Sequence, residues 1–517
     1  MKLSVFLLLI LFIAGQISGQ NTKKGLSVIT PELLRQHIDF LASDSLKGRN
    51  TPSPELELAA DYIAKEFAAL GIRPVQNSWF QPVPIISRNL DIDRCQLAIT
   101  LGDQKKNFRL KTDYNPFEMT ADTVVASSLV FAGYGITAPE YQYDDYDGVD
   151  VRGKIVLIMK HEPGEKDTAS CFNGIRETRH SQTSVKLENA MKHGAIGLMI
   201  VTDPLNHMLL NPQGHPWPAF SSFMTQDNLP VEMKDGKRTI PCIQVGETVV
   251  KALFGSVDSL RNIQKRIDQS LKPRSFEVPA SGCLLQTALK ITRYPVNNVI
   301  GILEGSDPVL KNEFVVIGGH YDHVGVQKVQ RQGEDNIFNG ADDNASGTAG
   351  VLAVAKAFSA MKKRPARSVV FILFAGEEKG LFGSQHYCDH PVVPLDKSVV
   401  MLNLDMISRN GADTLQLDGL AYNPDLASIL MSEARKLNLR NYPGEEDLFK
   451  RSDHYNFYRK GVSAINITSG LHSDYHTVRD NPDSVDPAKA ALISRLIFKT
   501  AWKIAGEPIY LKTVPIR

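Results

Sequence analysis

Four apolar runs in the second half of the chain each lead into residues that can bind a metal ion. The runs occupy 314–317, 369–374, 399–404 and 463–467. Short runs of this composition predict strands that are buried on both faces, as in a parallel sheet covered by helices. In open α/β sheets the ligand site lies outside the carboxyl ends of the strands. We therefore expect the residues that follow the four runs to meet at one site.

The residues that follow these runs are imidazoles and carboxylates. They are His320, Asp322 and His323 after the first run, Glu377 and Glu378 after the second, Asp405 after the third, and Asp474-Tyr475-His476 after the fourth and a short loop. Mixed imidazole and carboxylate ligands suit zinc, cobalt or manganese better than calcium. Because a single histidine is more often structural than a ligand, the prediction of one metal site depends on the whole set.

Metal chemistry suggests individual roles for these residues. His320 lies nearest the end of its strand and is preferred as a ligand over His323. Asp322 is expected to accept the other ring N–H of His320, as carboxylates next to metal-bound histidines commonly do. The adjacent Glu377 and Glu378 repel each other unless a cation neutralises one of them. One can therefore bind metal while the other accepts a proton from water.

A loop of small residues at 339–347 carries two adjacent carboxylates, Asp342 and Asp343, before an apolar helix predicted over 351–358. Capping the helix would need only one of them. A carboxylate in such a loop can instead bridge two cations, which lie about 3.5–4 Å apart in two-metal hydrolases. The loop is therefore consistent with a two-metal centre.

Together these motifs resemble peptidase family M28, a family of zinc-dependent exopeptidases. The motifs are Gly319-His320-Tyr321-Asp322-His323, Gly340-Ala341-Asp342-Asp343-Asn344-Ala345-Ser346-Gly347, Gly376-Glu377-Glu378, Asn403-Leu404-Asp405-Met406 and Tyr475-His476-Thr477. The resemblance covers the chain from about Val296 onward. It implies two zinc ions with five ligands: His320 and Asp405 on one ion, Glu378 and His476 on the other, and Asp343 between them.

The resemblance also implies a hydrolytic mechanism. Glu377 would be the general base that takes a proton from a water bridging the two zinc ions and passes it to the leaving amine. The Tyr475 hydroxyl would stabilise the oxyanion, or the ring would only pack beside His476. With Asp322 as the residue that orients His320, these are the predicted catalytic residues.

At 517 residues the chain is too long for one hydrophobic core, so more than one domain is expected. Strands and helices alternate in its last part, which predicts an α/β fold with a mixed, mostly parallel sheet flanked by helices. With the family resemblance, we expect a fold of the zinc-exopeptidase, phosphorylase/hydrolase-like type over 279–517. The segment 21–121 predicts helices over 31–46 and 54–70, then short strands, and is expected to pack on this domain.

Residues 122–278 have a different character and predict a smaller inserted domain. Their order of strands and helices resembles a protease-associated (PA) domain, a module often inserted in secreted hydrolases. The similarity depends on Gly133-Tyr134-Gly135, Gly153-Lys154-Ile155-Val156 and Lys192-His193-Gly194-Ala195-Ile196-Gly197. An unrelated α/β insert is the alternative. Within this segment Lys186, His193 and Asp144 are interpreted as surface and turn residues.

The first 20 residues have the pattern of a secretory signal peptide. Lys2 precedes the apolar run 3–14, and the small residues Ser18-Gly19 follow. Because the run is shorter than the roughly 20 residues that span a bilayer, we expect secretion or periplasmic export and no stable membrane insertion.

Charge and cysteine content exclude some other classes of function. A net charge of +1 gives no electrostatic argument for binding nucleic acid. The five cysteines lack C-x-x-C spacing, which disfavours a thiolate zinc site, and they allow one or two disulfides in an oxidising compartment. The expected partners are therefore peptide substrates.

The predicted function is that of a secreted di-zinc aminopeptidase, which acts on the N-termini of peptides. One alternative is a metallocarboxypeptidase of the glutamate type, an M28 branch that also carries a PA insert. That branch typically adds a long helical domain, whereas only a short segment follows His476. Arg409, near Asp405, leaves recognition of a substrate carboxylate open. A one-zinc glutaminyl cyclase and a non-catalytic binding protein are further alternatives, and neither needs all five ligands.

Overall fold

The computed structural model describes residues 22–212, 231–233, 239–327, 333–442, 444 and 446–515, so the predicted signal peptide lies outside the described residues. Contacts divide the chain into two compact units. The first comprises Met1–Ile86, Phe223–Lys234 and Arg293–Arg517, and the second Ser87–Ser222 and Asp235–Thr292. The second unit extends beyond the predicted insert at 122–278, because strand Gln96–Leu101 pairs with Ser281–Thr287.

The first unit contains a ten-stranded mixed sheet. Its strands lie in the order Glu232–Met233, Phe80–Leu90, Leu289–Leu303, Ser368–Phe374, Phe314–His320, Ser398–Leu404, Ser463–Thr468, Thr414–Asp418 and Arg440–Tyr442, with Arg73–Pro74 paired to Leu289–Leu303. The four neighbours from Ser368–Phe374 to Ser463–Thr468 are parallel. These four strands are the apolar runs of the sequence. The predicted α/β fold class is confirmed.

Helices accompany this sheet and bury both of its faces. They span Pro31–Leu41, Pro54–Ala69, Gly347–Ser359, Phe382–Asp389, Pro424–Lys436, His454–Arg459 and Pro487–Gly506. Alternate residues of a strand point to opposite faces. Val315 accordingly belongs to a core that contains Phe358, whereas Val316 belongs to a second core with Tyr387 and Phe457. Burial on both sides explains why the central strands are apolar throughout.

The helix predicted over 31–46 ends earlier, at Leu41. Side chains from elsewhere in the chain take up carbonyl groups at this end. Arg49 Nη1 donates to the carbonyl of Leu41, and Asn339 Nδ2 donates to that of Ala42 at 2.9 Å. Since the last carbonyls of a helix lack partners within it, these donors stabilise an early end.

The second unit contains three sheets among its described residues. The largest has the order Phe276–Glu277, Leu129–Phe131, Ile155–Met159, Gly197–Val201, Cys242–Val245 and Tyr114–Pro116; the next has Gln104–Phe108, Gln96–Leu101, Ser281–Thr287 and Thr123–Ser127; and Thr137–Ala138 pairs with Tyr143–Asp144. The helices are Thr183–Lys192, Glu247–Phe254 and Val257–Ser270. The four strands from Leu129–Phe131 to Cys242–Val245 are parallel neighbours. In this unit too, the carboxyl ends of adjacent parallel strands therefore lie at one edge of a sheet.

Lys186 of the second unit is not the surface residue that the sequence predicted. Its side chain is fully buried, and Nζ donates to the carbonyls of Tyr134 at 2.5 Å and His161 at 2.6 Å. Burial lowers the pKa of Lys186 to about 7, although nearby carboxylates act in the opposite direction. The ammonium group is thus held by main-chain carbonyls inside the unit.

The five cysteines form no disulfide and are free thiols. Within the described ranges, no helix has both the length and the apolar character needed to cross a membrane.

Candidate metal centre

Strand register places two of the predicted ligands at one level of the sheet. In the pairing of the first and third apolar runs, Gly318 lies opposite Asn403. His320 and Asp405 each come two residues later, so their side chains leave the sheet at the same carboxyl edge. His320 Nε2 lies 3.3 Å from Asp405 Oδ1. The predicted convergence of strand ends is therefore realised for this pair.

A glycine and an asparagine allow the main chain to pack closely at this edge. A Cβ atom on Gly319 would lie 2.4 Å from the carbonyl oxygen of Leu404, so a larger residue would separate the two strands. Asn344 Nδ2 donates to the same carbonyl at 2.9 Å. This contact fixes the loop that carries Asp343 against the strand ends.

Two clusters of donor atoms share Asp343. In the first cluster, His320 Nε2 lies 3.3 Å from Oδ1 of Asp343 and 3.3 Å from Oδ1 of Asp405. In the second, His476 Nε2 lies 3.1 Å from Oδ2 of Asp343 and 3.1 Å from Oε2 of Glu378. One carboxylate oxygen of Asp343 therefore faces each cluster. The structure brings together all five residues that were predicted as ligands.

His323 also lies in the second cluster, although the sequence prediction set it aside. The ring is fully buried, and its Nδ1 lies 2.7 Å from Glu378 Oε1 and 3.7 Å from Asp343 Oδ2. The sequence prediction preferred His320 because His323 lies further from the end of the strand. The strand has ended by then, and a bridge between His323 and Asn50 holds this segment.

Asp322 orients its neighbours differently from the prediction. His320 Nδ1 lies 3.1 Å from the main-chain oxygen of Asp322 and 3.7 Å from its carboxylate, so the carbonyl is the hydrogen-bond partner. The carboxylate instead accepts from Thr51 Oγ1 at 2.9 Å and from the amide of Glu377 at 3.2 Å. It therefore holds the loop that carries the predicted base.

A buried arginine that the sequence did not single out supports two loops of the site. The guanidinium of Arg49 donates to the carbonyls of Tyr321 at 2.9 Å, Asn339 at 2.8 Å and Gly340 at 3.0 Å. A buried charge needs such partners, and each of these bonds also restrains a main-chain segment beside the donor clusters. No motif marks Arg49, because its partners are distant in the chain.

Asp342 holds the loop that carries Asp343 and is not a member of the two clusters. Its Oδ1 accepts from the amide and hydroxyl of Ser408, at 2.8 Å and 2.6 Å, and from Ser346 Oγ at 3.0 Å. Asp480 in turn accepts from the amides of Asp342 at 2.9 Å and Asp343 at 3.0 Å. These contacts fix the main chain on which Asp343 stands.

The charges of the site favour a bound cation. Burial raises the pKa of Glu377 well above its usual range, and Glu378 and Asp405 raise it further, whereas His320 lowers it. Burial lowers the pKa of His320, but the carboxylates of Glu377 and Asp405 outweigh this and hold it well above its usual range. Carboxylates crowded in this way repel one another, and metal ions would relieve the repulsion.

The donor chemistry fits zinc, which the resemblance to family M28 implies. The donor atoms within each cluster lie within 4.8 Å of one another. Separations of 3.1–3.3 Å between them agree with ligands about 2.0–2.2 Å from a shared zinc ion. Nε2 of His476 is buried, yet within the described chain it makes no well-aligned hydrogen bond. A nitrogen so placed is available to a metal ion.

A cavity that is open to solvent adjoins the donor clusters. Glu377 and Tyr475 line it together with His320, Asp343 and Asp405. The ring of Tyr475 stacks on that of His476, with 3.9 Å between the ring centres. The predicted base and the predicted oxyanion donor therefore border one space beside the metal ligands.

Apolar side chains such as Leu448 and Leu471 line part of the remaining cavity, and polar or charged side chains line the other part. The polar and charged side chains include Gln416, Asp418, Arg451 and Asn466. Arg409, which the sequence raised as a carboxylate ligand, is paired instead with Asp474 at 2.5 Å. Arg451 is instead the arginine that lines the cavity. The sequence analysis did not predict this position.

Comparison with known proteins agrees with the geometry. Residues 298–501 match the sequence model of Peptidase family M28. The chain is similar to a "Probable zinc metalloprotease" of Pyrenophora teres f. teres (strain 0-1), with 37% identity over 123 residues, 23% of this chain and 25% of the relative. It is also similar to "Aminopeptidase YwaD" of Bacillus subtilis (strain 168), with 25% identity over 235 residues, 43% of this chain and 48% of the relative.

A solved structure, "Aminopeptidase from Aneurinibacillus sp. strain AM-1", is similar with a TM-score of 0.48 and 21% sequence identity, covering 97% of this chain and 98% of that chain. The chain spans between a quarter and about a half of the length of the two curated relatives. Every member of the two donor clusters lies within the matched segment. Residues 298–501 are thus a domain of peptidase family M28.

Proposed function

We propose that this protein is a di-zinc aminopeptidase, which hydrolyses the first peptide bond of peptides with a free N-terminus. The observation that carries the proposal is the position of Asp343, which presents one oxygen to each donor cluster. The ions of two-metal hydrolases lie about 3.5–4 Å apart, and a carboxylate placed in this way could bind both. The proposed zinc ligands are His320, Asp343 and Asp405 for one ion and Asp343, Glu378 and His476 for the other, with His323 beside Glu378.

Zinc, when bound, acidifies water and polarises the scissile carbonyl. Glu377 lines the cavity, and Asp322 holds its amide. From this position Glu377 takes the proton of the attacking water and later gives it to the leaving amine. Burial raises the pKa of Tyr475, so its hydroxyl stays protonated. It can therefore donate a hydrogen bond to the developing oxyanion.

Asp418 supports the choice of the N-terminus. Its carboxylate is largely buried and lines the cavity. It accepts from Gln416 Nε2 at 2.7 Å and Asn466 Nδ2 at 3.2 Å, which fix its orientation. Asp418 is not among the proposed zinc ligands, so its charge remains available to a free α-ammonium group.

Arg451 is the observation in favour of a second candidate, a metallocarboxypeptidase of the glutamate type. It lines the same cavity, and its side chain is exposed to solvent there. A guanidinium can bind a terminal carboxylate through two parallel hydrogen bonds. Asp418 and Arg451 therefore represent opposite choices of substrate terminus within one site.

A substrate panel separates the two candidates. Chromogenic aminoacyl substrates and N-blocked peptides with a free C-terminus are assayed with and without a chelator. We expect chelator-sensitive cleavage of the free-amine substrates, a KM raised about tenfold in Asp418→Asn, and little change in Arg451→Gln. Cleavage of the N-blocked peptides alone, with the larger effect in Arg451→Gln, would reject the aminopeptidase in favour of the carboxypeptidase.

Export and the identity of the second unit are also proposals. The signal-like pattern at 1–20 leads us to propose secretion or periplasmic export, and the predicted resemblance at 122–278 leads us to propose a PA-type insert. Expression of the full chain, followed by N-terminal sequencing of the exported protein, tests the first. We expect a mature start close to residue 21; an intact N-terminus on protein retained inside the cell contradicts export.

A further inference from the structure

The second unit also has imidazole and carboxylate side chains that follow the carboxyl ends of parallel strands. Met159 and Val201 are paired in register at the ends of two adjacent parallel strands. His161 and Asp203 each come two residues later, so they leave the sheet at one level. This is the same construction that places His320 beside Asp405 in the M28 domain.

Two loop residues complete a cluster around this pair. His161 Nδ1 lies 2.5 Å from Asp203 Oδ1. His207 Nε2 lies 2.9 Å and 2.7 Å from the two carboxylate oxygens of Glu165, and 3.7 Å from Asp203 Oδ2. One donor atom from each of the four residues lies within 4.8 Å of all the others.

Ordinary hydrogen bonds account for only part of this arrangement. His207 Nε2 carries at most one hydrogen but faces three carboxylate oxygens. The rings of His161 and His207 are stacked, with 4.0 Å between their centres, and two protonated rings at that distance would repel each other. The four side chains thus bring two imidazoles and two carboxylates together, and a divalent cation can bind such a set of donors.

The surroundings hold part of the cluster rigidly and leave part open to solvent. The Asp203 side chain is 1% exposed, whereas that of His207 is 32% exposed. Gln264 Nε2 donates to Asp203 Oδ2 at 3.4 Å, and Lys186 holds the main chain of His161. Glu165 also lines an open cleft. Part of the cluster is therefore held in position, and its open side gives an ion a route of entry.

We propose that His161, Glu165, Asp203 and His207 bind one divalent transition-metal ion, for which Zn²⁺ is the best match. Two imidazoles and two carboxylates form a four-donor set of the kind that zinc accepts. This site belongs to the second unit alone and shares no residue with the donor clusters of the M28 domain. It is a binding site in its own right, independent of the proposed peptidase activity.

Zinc content of the full-length protein tests the proposal. Wild type, His207→Gln and Glu165→Gln are equilibrated with Zn²⁺, desalted and analysed by mass spectrometry. The matched control is His180→Gln, a buried histidine of the same unit that contacts Glu140 at 3.0 Å outside the cluster. We expect each cluster variant to lose about one zinc equivalent per chain relative to wild type, and the control to lose none. Equal zinc in all four proteins would show hydrogen-bonded pairs only and overturn the site.

A second measurement does not depend on the folding of these variants. The double variant Asp405→Asn, His476→Gln removes ligands from both clusters of the M28 domain and leaves the second unit intact. We expect it to retain about one zinc equivalent, and its Co²⁺ form to show the absorption of a four-coordinate ion with nitrogen and oxygen ligands. A double variant without metal would reject the site whether or not the wild type is a peptidase. His207→Gln should keep its peptidase activity. Loss of zinc without loss of activity would show that the site in the second unit is independent of the proposed peptidase site.

Discussion

Two sheet edges in this chain, each formed by the carboxyl ends of parallel strands, carry histidines and carboxylates. They differ in what surrounds these donor groups. In the M28 domain, Asp343 faces two donor clusters, and Glu377 stands beside them on an open cavity. In the second unit, His161 and Asp203 belong to a single cluster. A shared carboxylate with a neighbouring base is suited to activating water. We therefore expect a reaction centre at the first edge only, where the proposed base and the shared carboxylate accompany the strand ends.

Removal of the proposed base should give the largest difference between the two edges. Glu377→Gln is expected to lower kcat by about 10²–10⁴-fold, which is the usual contribution of a general base, while zinc content stays that of the wild type. His207→Gln, in the second unit, should leave kcat unchanged. Steady-state kinetics on an aminoacyl substrate measures both. Full activity in Glu377→Gln would assign the base to another residue.

His323 tests how far the second donor cluster of the M28 domain extends. Its contact with Glu378 predicts that His323→Gln weakens zinc binding there by about 10–100-fold, the usual effect of a partner of a metal ligand. Competition with a chelating dye measures the affinity. The matched control is His37→Gln, a buried histidine that bonds Tyr62 at 2.6 Å. If both variants bind zinc as the wild type does, His323 only packs beside the site.

A smaller effect is expected where the support of the base is weakened. Thr51→Val removes the hydroxyl that donates to Asp322 Oδ2. The loss of one hydrogen bond, worth about 1 kcal/mol, should lower kcat about fivefold through a less well-held Glu377 loop. KM and zinc content should remain those of the wild type. Thr51→Ser, which restores the hydroxyl, should recover the rate; if it does not, Asp322 does not act through this bond.

The sequence was most informative where the fold itself brings residues together. Residues at the ends of adjacent parallel strands must meet, so His320 and Asp405 could be anticipated from apolar runs alone. The helix over 54–70 was likewise predicted from its spacing and is observed as Pro54–Ala69. Periodicity and strand ends are local patterns that the chain displays before it folds.

Other contacts of the site depend on loop conformations that no local pattern specifies. His323 was set aside because it lies further from the strand end than His320, yet the segment after the strand places its ring against Glu378. Arg49 joins the site through main-chain carbonyls far along the chain. The cluster at His161 and Asp203 does follow strand ends, but its other members come from loops. The rule applied to the M28 domain would have found the first two of these residues in the second unit.

Zinc-edge anomalous diffraction from crystals of the full-length protein tests the central claim most directly. The claim is that Asp343 serves two ions. We expect two peaks about 3.5–4 Å apart, one between Asp343 and His320 and the other between Asp343 and His476, each beside a different oxygen of the shared carboxylate. A single peak in the M28 domain, or two peaks that do not flank Asp343, would contradict the account.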